Sequence, residues 1–279
     1  MDNSGSMKPR RDYIRDNIDM FLTTLNSRKA INYQMAVVTT DAFRDSGALV
    51  KASSGLEVVK STSANPKADF AEVINAITDS NTSFWEQGLE NSYQAVFKYA
   101  NKFSRQGVPL IVVYVTDEDD YSCKESCWGV QPENNTTWKS FDTTRYIEFF
   151  QKVKASEGSE AVLFPIVGVN AESCVAPSSG KRYEAVASAI GLYGTTGSIC
   201  DLDLEESYNN IAKVIADRDN VFVLDTPATG KNIKVYVDGE SIDPVQANYS
   251  FDLALNALVF NGKLPKAGSL IEVLFEEKK

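Results

Sequence analysis

The sequence predicts an α/β fold in which a doubly wound, mostly parallel sheet with helices on both faces is followed by a small all-β region. Two almost uninterrupted apolar segments, residues 108–116 and 161–169, have the composition of strands buried on both faces of a parallel sheet. Segments with helical spacing of apolar residues alternate with the predicted strands, which is typical of a sheet between helix layers. From about residue 226 the pattern changes to short alternating strands.

Each predicted element has a local signal. Asn65-Pro66 is an N-cap followed by proline at the first helical position, and Gly107 ends a long helix that starts near Glu86. Helices are predicted over residues 9–27, 66–77, 86–106, 143–155, 182–190 and 204–217, and strands over residues 33–40, 48–50, 56–59, 108–116, 161–169 and 221–224. Asp238-Gly239 indicates a hairpin in the tail. We therefore expect one domain over residues 1–225 and a small all-β domain over residues 226–279.

Composition excludes several classes of function. The net charge of −10 disfavours nucleic acid and anionic membranes as partners, because both need a basic surface. The chain contains no histidine, which removes Ser-His-Asp and Cys-His nucleophiles and histidine-ligated zinc. No apolar segment approaches the about 20 residues of a membrane-spanning helix. An acidic protein of this kind is suited to binding cations or basic surfaces.

The cysteines indicate the compartment. Cys123, Cys127, Cys174 and Cys200 are widely spaced and contain no CxxC pair, which favours two disulfides over free thiols or a zinc site. Disulfides predict an extracytoplasmic location: periplasm, outer surface or secreted. The chain has no signal sequence, since Met1 is followed at once by polar residues, and we expect the natural N-terminus to lie upstream.

The opening residues carry the chemistry. Asp2, Ser4 and Ser6 form a D-x-S-x-S pattern directly before an amphipathic helix. By itself this string is equally typical of a helix N-cap turn. Two further features favour a ligand site: Thr116-Asp117 ends the most apolar strand, and residues 81–89 place hydroxyls just before another helix. Ligands of open α/β sheets bind at the carboxyl ends of the strands, where these loops belong.

Together these three segments resemble the metal-ion-dependent adhesion site (MIDAS) of von Willebrand factor A (vWA) domains, in the family's order, over roughly residues 1–224. Bacterial members of the family are the most similar. The resemblance implies that Ser4 and Ser6 bind the metal directly, that Asp2 and Asp117 hold it largely through waters, and that Ser83 supplies the third-loop hydroxyl, with Thr82 as the alternative. The family usually has threonine at that position.

The residue types agree with that implication. Hydroxyl, carboxylate and water oxygens are hard donors that suit Mg²⁺ or Mn²⁺, with Ca²⁺ as a further candidate. Few direct carboxylates leave the ion under-neutralised, so an acidic residue of a partner could fill the open position. Glu118, Asp119 and Asp120 either add a Ca²⁺ site or form a solvated acidic rim. A disulfide between Cys123 and Cys127 beside Asp117 is one of three possible pairing schemes.

The favoured interpretation is a metal-dependent protein-binding or adhesion module of a bacterial cell-envelope or secreted protein, and not an enzyme. The alternative is an intracellular vWA subunit of an ATPase or chelatase assembly, which would have free thiols. A metal-assisted hydrolase ranks last, because the sequence shows no general base or nucleophile. The resemblance also implies a central first strand before Asp2. Only Met1 is present there, so we expect the neighbouring strands to have open edges.

Overall fold

The fold comes from a computed structural model. It describes residues 1–28, 31–80, 86–124, 140–157, 159–168, 179–190, 196–201, 204–218, 221–224, 226–245, 249–253, 256–260, 265 and 269–278. The contacts divide the chain into two compact units. The larger comprises residues 1–21 and 32–211, and the smaller comprises residues 22–31 and 212–279.

Most predicted helices are confirmed. The helices are α1 Lys8–Asp16, α2 Ile18–Arg28, α3 Ala42–Asp45, α4 Pro66–Asn75, α5 Gly88–Phe103, α6 Thr144–Lys152, α7 Lys181–Ile190 and α8 Glu205–Arg218. The predicted cap of α4 is present, since the Asn65 side chain accepts a hydrogen bond from the backbone N–H of Ala68. The single helix predicted over residues 9–27 is interrupted at Asn17, where the side-chain amide and the backbone N–H both donate to the carbonyl of Tyr13. The short helix α3 was not predicted.

The larger unit is built around a parallel sheet. Its strands, β3 Leu110–Val115, β4 Ala161–Val167 and β5 Gly197–Ser198, lie side by side in that order. Every residue of β4 is buried, as its continuous apolar sequence predicts. Helices α5, α6 and α7 cover this sheet through a core that includes Leu89, Tyr146, Phe150, Tyr183 and Val186. The mixed α/β class and the parallel arrangement of the two apolar strands are thereby confirmed.

A second, antiparallel pair lies in the same unit. It consists of β1 Gln34–Ala36 and β2 Val58–Lys60, and within the described residues it belongs to a different sheet from β3. Met1 and Asp2 lie between the segment after β1 and the end of β3, because the amino nitrogen of Met1 donates to the carbonyl of Val38 and the backbone N–H of Asp2 donates to the carbonyl of Val115. Within the described residues β3 pairs with β4 alone. Val113 on β3 is 37% exposed, so the face of the sheet that carries its side chain is not fully covered there.

The smaller unit contains two antiparallel three-stranded sheets. One sheet has the order β6-β10-β9 and the other the order β11-β7-β8. The strands are β6 Val221–Val223, β7 Lys234–Val237, β8 Glu240–Ile242, β9 Tyr249–Asp252, β10 Ala257–Phe260 and β11 Ile271–Leu274. Both sheets contribute to one small core around Val235, Leu258 and Phe260. The predicted hairpin turn is confirmed, since Asp238 and Gly239 both have positive φ and connect β7 to β8.

One strand pairs differently from expectation. Residues 221–224 are predicted to close the α/β series, but β6 is antiparallel to β10 of the all-β region. Sequence periodicity identifies a short apolar strand, but it does not show which neighbouring strand it pairs with. The domain boundary at residue 225 stays a prediction. In the part of the chain that is described, no helix combines the length and the apolar character needed to span a membrane.

Candidate metal centre

The loop before α1 is folded tightly around the carboxylate of Asp2. This residue is fully buried. Its Oδ1 accepts the backbone N–H of Ser4 at 2.7 Å, and its Oδ2 accepts the hydroxyl of Thr116 at 2.7 Å. The first bond closes the local turn that the aspartate favours, and the second connects the loop to the end of β3. Asp2 is therefore fixed between the first two predicted ligand segments.

The two serines of the pattern lie next to each other. The hydroxyl oxygens of Ser4 and Ser6 are 2.9 Å apart, and Ser6 is exposed to solvent. Gly5 between them has open space around the position that a side chain would occupy. Two neighbouring hydroxyls at an exposed loop are accessible to a cation that approaches from solvent, as the predicted role of Ser4 and Ser6 requires.

The second ligand segment begins where β3 ends. Asp117 follows Thr116 directly and is 8% exposed, and its Oδ1 is buried without a hydrogen-bond partner. Burial, followed by repulsion from Asp2, raises the pKa of Asp117 to about 6, although a hydrogen bond with Ser6 acts in the opposite direction. Asp117 is thus brought together with Asp2 and Ser6, as predicted.

Glu86 is a member of the site that the sequence analysis did not identify. It lies just before α5, is 3% exposed, and its Oε2 is also buried without a hydrogen-bond partner. Burial, and then the charges of Asp2, Glu118 and Asp117, raises the pKa of Glu86 to about 10. Burial and the neighbouring carboxylates Asp2 and Asp117 likewise raise the pKa of Glu118 to about 7. Asp2, Glu86, Asp117 and Glu118 therefore lie close enough for their ionisations to be linked, and Glu86 keeps its proton at neutral pH.

The segment with the third predicted ligand is described only at its two ends. Thr82, Ser83 and Trp85 lie outside the described residues. On one side, the backbone N–H of Ser80 donates to the carbonyl of Asn3 at 2.8 Å. On the other side, the backbone N–H of Gln87 donates to the carbonyl of Thr40 at 3.0 Å. The assignment of Ser83, or Thr82, as a ligand stays a prediction.

Asp119 and Asp120 have a different role from the two that the sequence suggested. Asp120 is 1% exposed, and its carboxylate accepts hydrogen bonds from the backbone N–H groups of Leu89 and Ser122, from the Ser122 hydroxyl and from the Arg182 guanidinium. Asp119 accepts the backbone N–H of Arg182 at 2.9 Å. Asp120 thus caps α5 and connects it to α7, so the interpretation as a solvated rim is wrong for this residue.

Two of the four cysteines are described, and both are bonded. Cys123 and Cys200 each take part in a disulfide. Cys123 is 1% exposed, and its backbone N–H donates to the Gln87 side chain near the candidate site. Cys127, Cys174 and Trp128 lie outside the described residues. Disulfide formation is confirmed for these two positions, and the pairing stays a prediction.

The donor set fits a hard divalent cation. Within the described ranges, no group of three or more Asp, Glu, His or Cys side chains is placed to hold a metal ion by itself. The predicted site does not need such a group, because it combines two carboxylates with serine hydroxyls and water. Two buried carboxylate oxygens without partners, on Glu86 and Asp117, are unusual in a folded protein and are satisfied when a cation lies beside them.

Comparison of the chain with protein-family models, with curated proteins and with solved structures found no match.

Proposed function

We propose that this chain is a metal-dependent protein-binding or adhesion module of the vWA type, and not an enzyme. The observation that carries the proposal is the orphaned Oδ1 of buried Asp117, which lies with Asp2 beside the hydroxyls of Ser4 and Ser6. A buried carboxylate oxygen without a hydrogen bond, repelled by a second carboxylate, is a defect in the metal-free protein. A bound cation would remove it.

The proposed ligand set is Asp2, Ser4, Ser6, Asp117 and a hydroxyl of Ser83 or Thr82. Mg²⁺ is the favoured ion, with Mn²⁺ and Ca²⁺ as alternatives, since all donors are oxygens. The bound ion would act as a Lewis acid with a coordination position open to solvent. The exposure of Ser6 supports this opening. The partner is then a protein or surface that presents a carboxylate to this position.

The disulfides favour the extracytoplasmic form of the proposal. Cys123 and Cys200 are bonded, and such bonds persist in the periplasm, at cell surfaces and in secreted proteins. The alternative, a subunit of an intracellular ATPase or chelatase assembly, was expected to have free thiols. We therefore propose a location in the bacterial cell envelope or outside the cell.

The test is a calorimetric titration of the wild type and of Ser4→Ala/Ser6→Ala with Mg²⁺ and, separately, with Mn²⁺. A matched control is Ser53→Ala/Ser54→Ala, which removes two exposed hydroxyls from the loop before β2. We expect the wild type and the control to bind with equal heats and the Ser4/Ser6 variant to lose most of its affinity. Equal heats in all three proteins would overturn the assignment of the site.

A further inference from the structure

Arg11 is a buried cation beneath the candidate site. It lies in the second turn of α1, and only 5% of its side chain is exposed. Its Nη1 donates to the backbone carbonyls of Asp2 at 3.1 Å and Ser4 at 2.8 Å. Its Nη2 forms an ion pair with Asp79. A guanidinium is buried at a high cost in solvation, so three acceptors arranged around it indicate a defined structural task.

We propose that Arg11 is the positioning residue of the metal site: it holds the cation loop, residues 2–6, from the inside and attaches it to the segment that leads into the third ligand loop. The proposal rests on the function proposed above.

Arg11 supports the cation loop itself. The two carbonyls that Arg11 binds belong to the residues whose side chains are predicted ligands, Asp2 and Ser4. Fixing those carbonyls on one rigid planar group fixes the two peptide units relative to α1. Beside these two bonds, the loop is held by the hydrogen bonds of Asp2, Ser4 and Ser6, by those of Asn3, by the link to β3 and by the bond from the backbone N–H of Lys8 to the carbonyl of Gly5 at 3.3 Å.

Arg11 also links the cation loop to the segment before the third predicted ligand, through its ion pair with Asp79. Asp79, the ion-pair partner, lies in residues 78–80, directly before the segment with Thr82 and Ser83. Asn3 also binds residues 78–80. Its side-chain amide donates to the carbonyl of Thr78 at 3.2 Å, and its backbone carbonyl accepts the N–H of Ser80. Arg11 thus connects residues 2–6 with residues 78–80, which directly precede the segment with the third predicted ligand. Metal sites tolerate little error in ligand spacing, so loss of this connection weakens binding without removing any ligand.

The experiment uses Arg11→Met, Arg11→Lys and Asp79→Asn, with Arg15→Met as the matched control. Arg15 lies one turn further along α1 and pairs with Asp12 and Asp16. We expect Arg11→Met to weaken Mg²⁺ binding by about 10- to 100-fold, as removal of an outer-sphere partner does. Arg11→Lys keeps the charge without the planar fork and should recover part of this loss. Asp79→Asn should have a smaller effect than Arg11→Met, and Arg15→Met should bind as the wild type does.

Hydrogen exchange of the metal-free proteins separates this inference from the metal site. The backbone N–H of Ser4 is bonded to Asp2, and it should exchange faster in Arg11→Met than in Arg15→Met at temperatures where both are folded. Unchanged exchange, or Mg²⁺ affinity in Arg11→Met equal to that of the wild type, would overturn the role of Arg11. Faster exchange in a protein whose wild type binds no Mg²⁺ would support the positioning role and reject the proposed function.

Discussion

Replacing Glu86 by glutamine tests whether this site is held in an electrostatically unfavourable state until a cation binds. Glu86 is buried, its Oε2 has no hydrogen-bond partner, and burial with the charges of Asp2, Glu118 and Asp117 raises its pKa from 4.5 to about 10. At pH 7 the folded protein therefore keeps a proton on Glu86 that the unfolded chain has released. A carboxyl pKa that is raised in the folded state lowers the free energy of unfolding above pH 4.5, and this loss grows as the pH rises.

The free-energy cost of this proton at pH 7 depends on how far the pH lies above 4.5, because the pKa of Glu86 in the folded protein is higher than 7. Each pH unit above 4.5 costs about 1.4 kcal/mol, so protonating Glu86 at pH 7 costs at most about 3.4 kcal/mol. Glutamine carries no charge and avoids this cost, although its own amide must then be accommodated. We expect Glu86→Gln to raise the free energy of unfolding of the metal-free protein by about 1–3 kcal/mol, which corresponds to a rise of about 2–12 °C in Tm.

Glu90 provides a matched control with the opposite expected sign. It is four residues away and equally buried, at 4% exposed, but its carboxylate accepts hydrogen bonds from Tyr146, Arg145 and Gln94. Glu90→Gln should therefore destabilise the protein by about 1–3 kcal/mol, because a charged partner is left unpaired. The two side chains are chemically identical. They differ because both carboxylate oxygens of Glu90 accept hydrogen bonds, whereas the Oε2 of Glu86 accepts none.

The assay is urea denaturation of the wild type, Glu86→Gln and Glu90→Gln, at pH 7 and pH 4.5, with chelator and with saturating Mg²⁺. At pH 4.5 the difference between the wild type and Glu86→Gln should become small, since the unfolded glutamate is then half protonated. With Mg²⁺ the wild type should gain more stability than Glu86→Gln. A metal-free Glu86→Gln protein that is less stable than the wild type would show that buried Glu86 does not destabilise the fold.

Two other outcomes are expected. Since the pKa values of Asp117 and Glu118 are raised to about 6 and about 7, protons compete with the metal, and calorimetry should show Mg²⁺ affinity rising from pH 5 to pH 8; an affinity independent of pH would contradict this. Asp120→Asn should lower the free energy of unfolding by about 1–3 kcal/mol in urea titration, because Arg182 loses its charged partner; wild-type stability would show that this network is dispensable.

Several elements could be predicted because their causes are local. The run of apolar residues 161–169 predicts a strand buried on both faces, and β4 is such a strand. Asn65-Pro66 predicts the start of α4, and Asp238-Gly239 predicts the turn between β7 and β8. In each case the side chains or backbone preferences of neighbouring residues decide the conformation.

Strand pairing could not be predicted in the same way. Residues 221–224 have the composition of a strand in either region, and the pairing of β6 with β10 depends on which edge is available. The break at Asn17 was also missed, because asparagine inside an amphipathic pattern ends a helix only where its side chain competes for a backbone carbonyl.

Local sequence patterns were enough to predict four members of the candidate site. They placed Asp2, Ser4 and Ser6 in a loop before a helix and Asp117 after a buried strand, since these positions depend on neighbours in the chain. The fold then brought Asp2 against Thr116 and Asp117, buried Glu86 beside them with its Oε2 unpartnered and put Arg11 beneath the loop. Those contacts depend on the direction of side chains from separate elements. Their charges interact only when the fold removes the water between them.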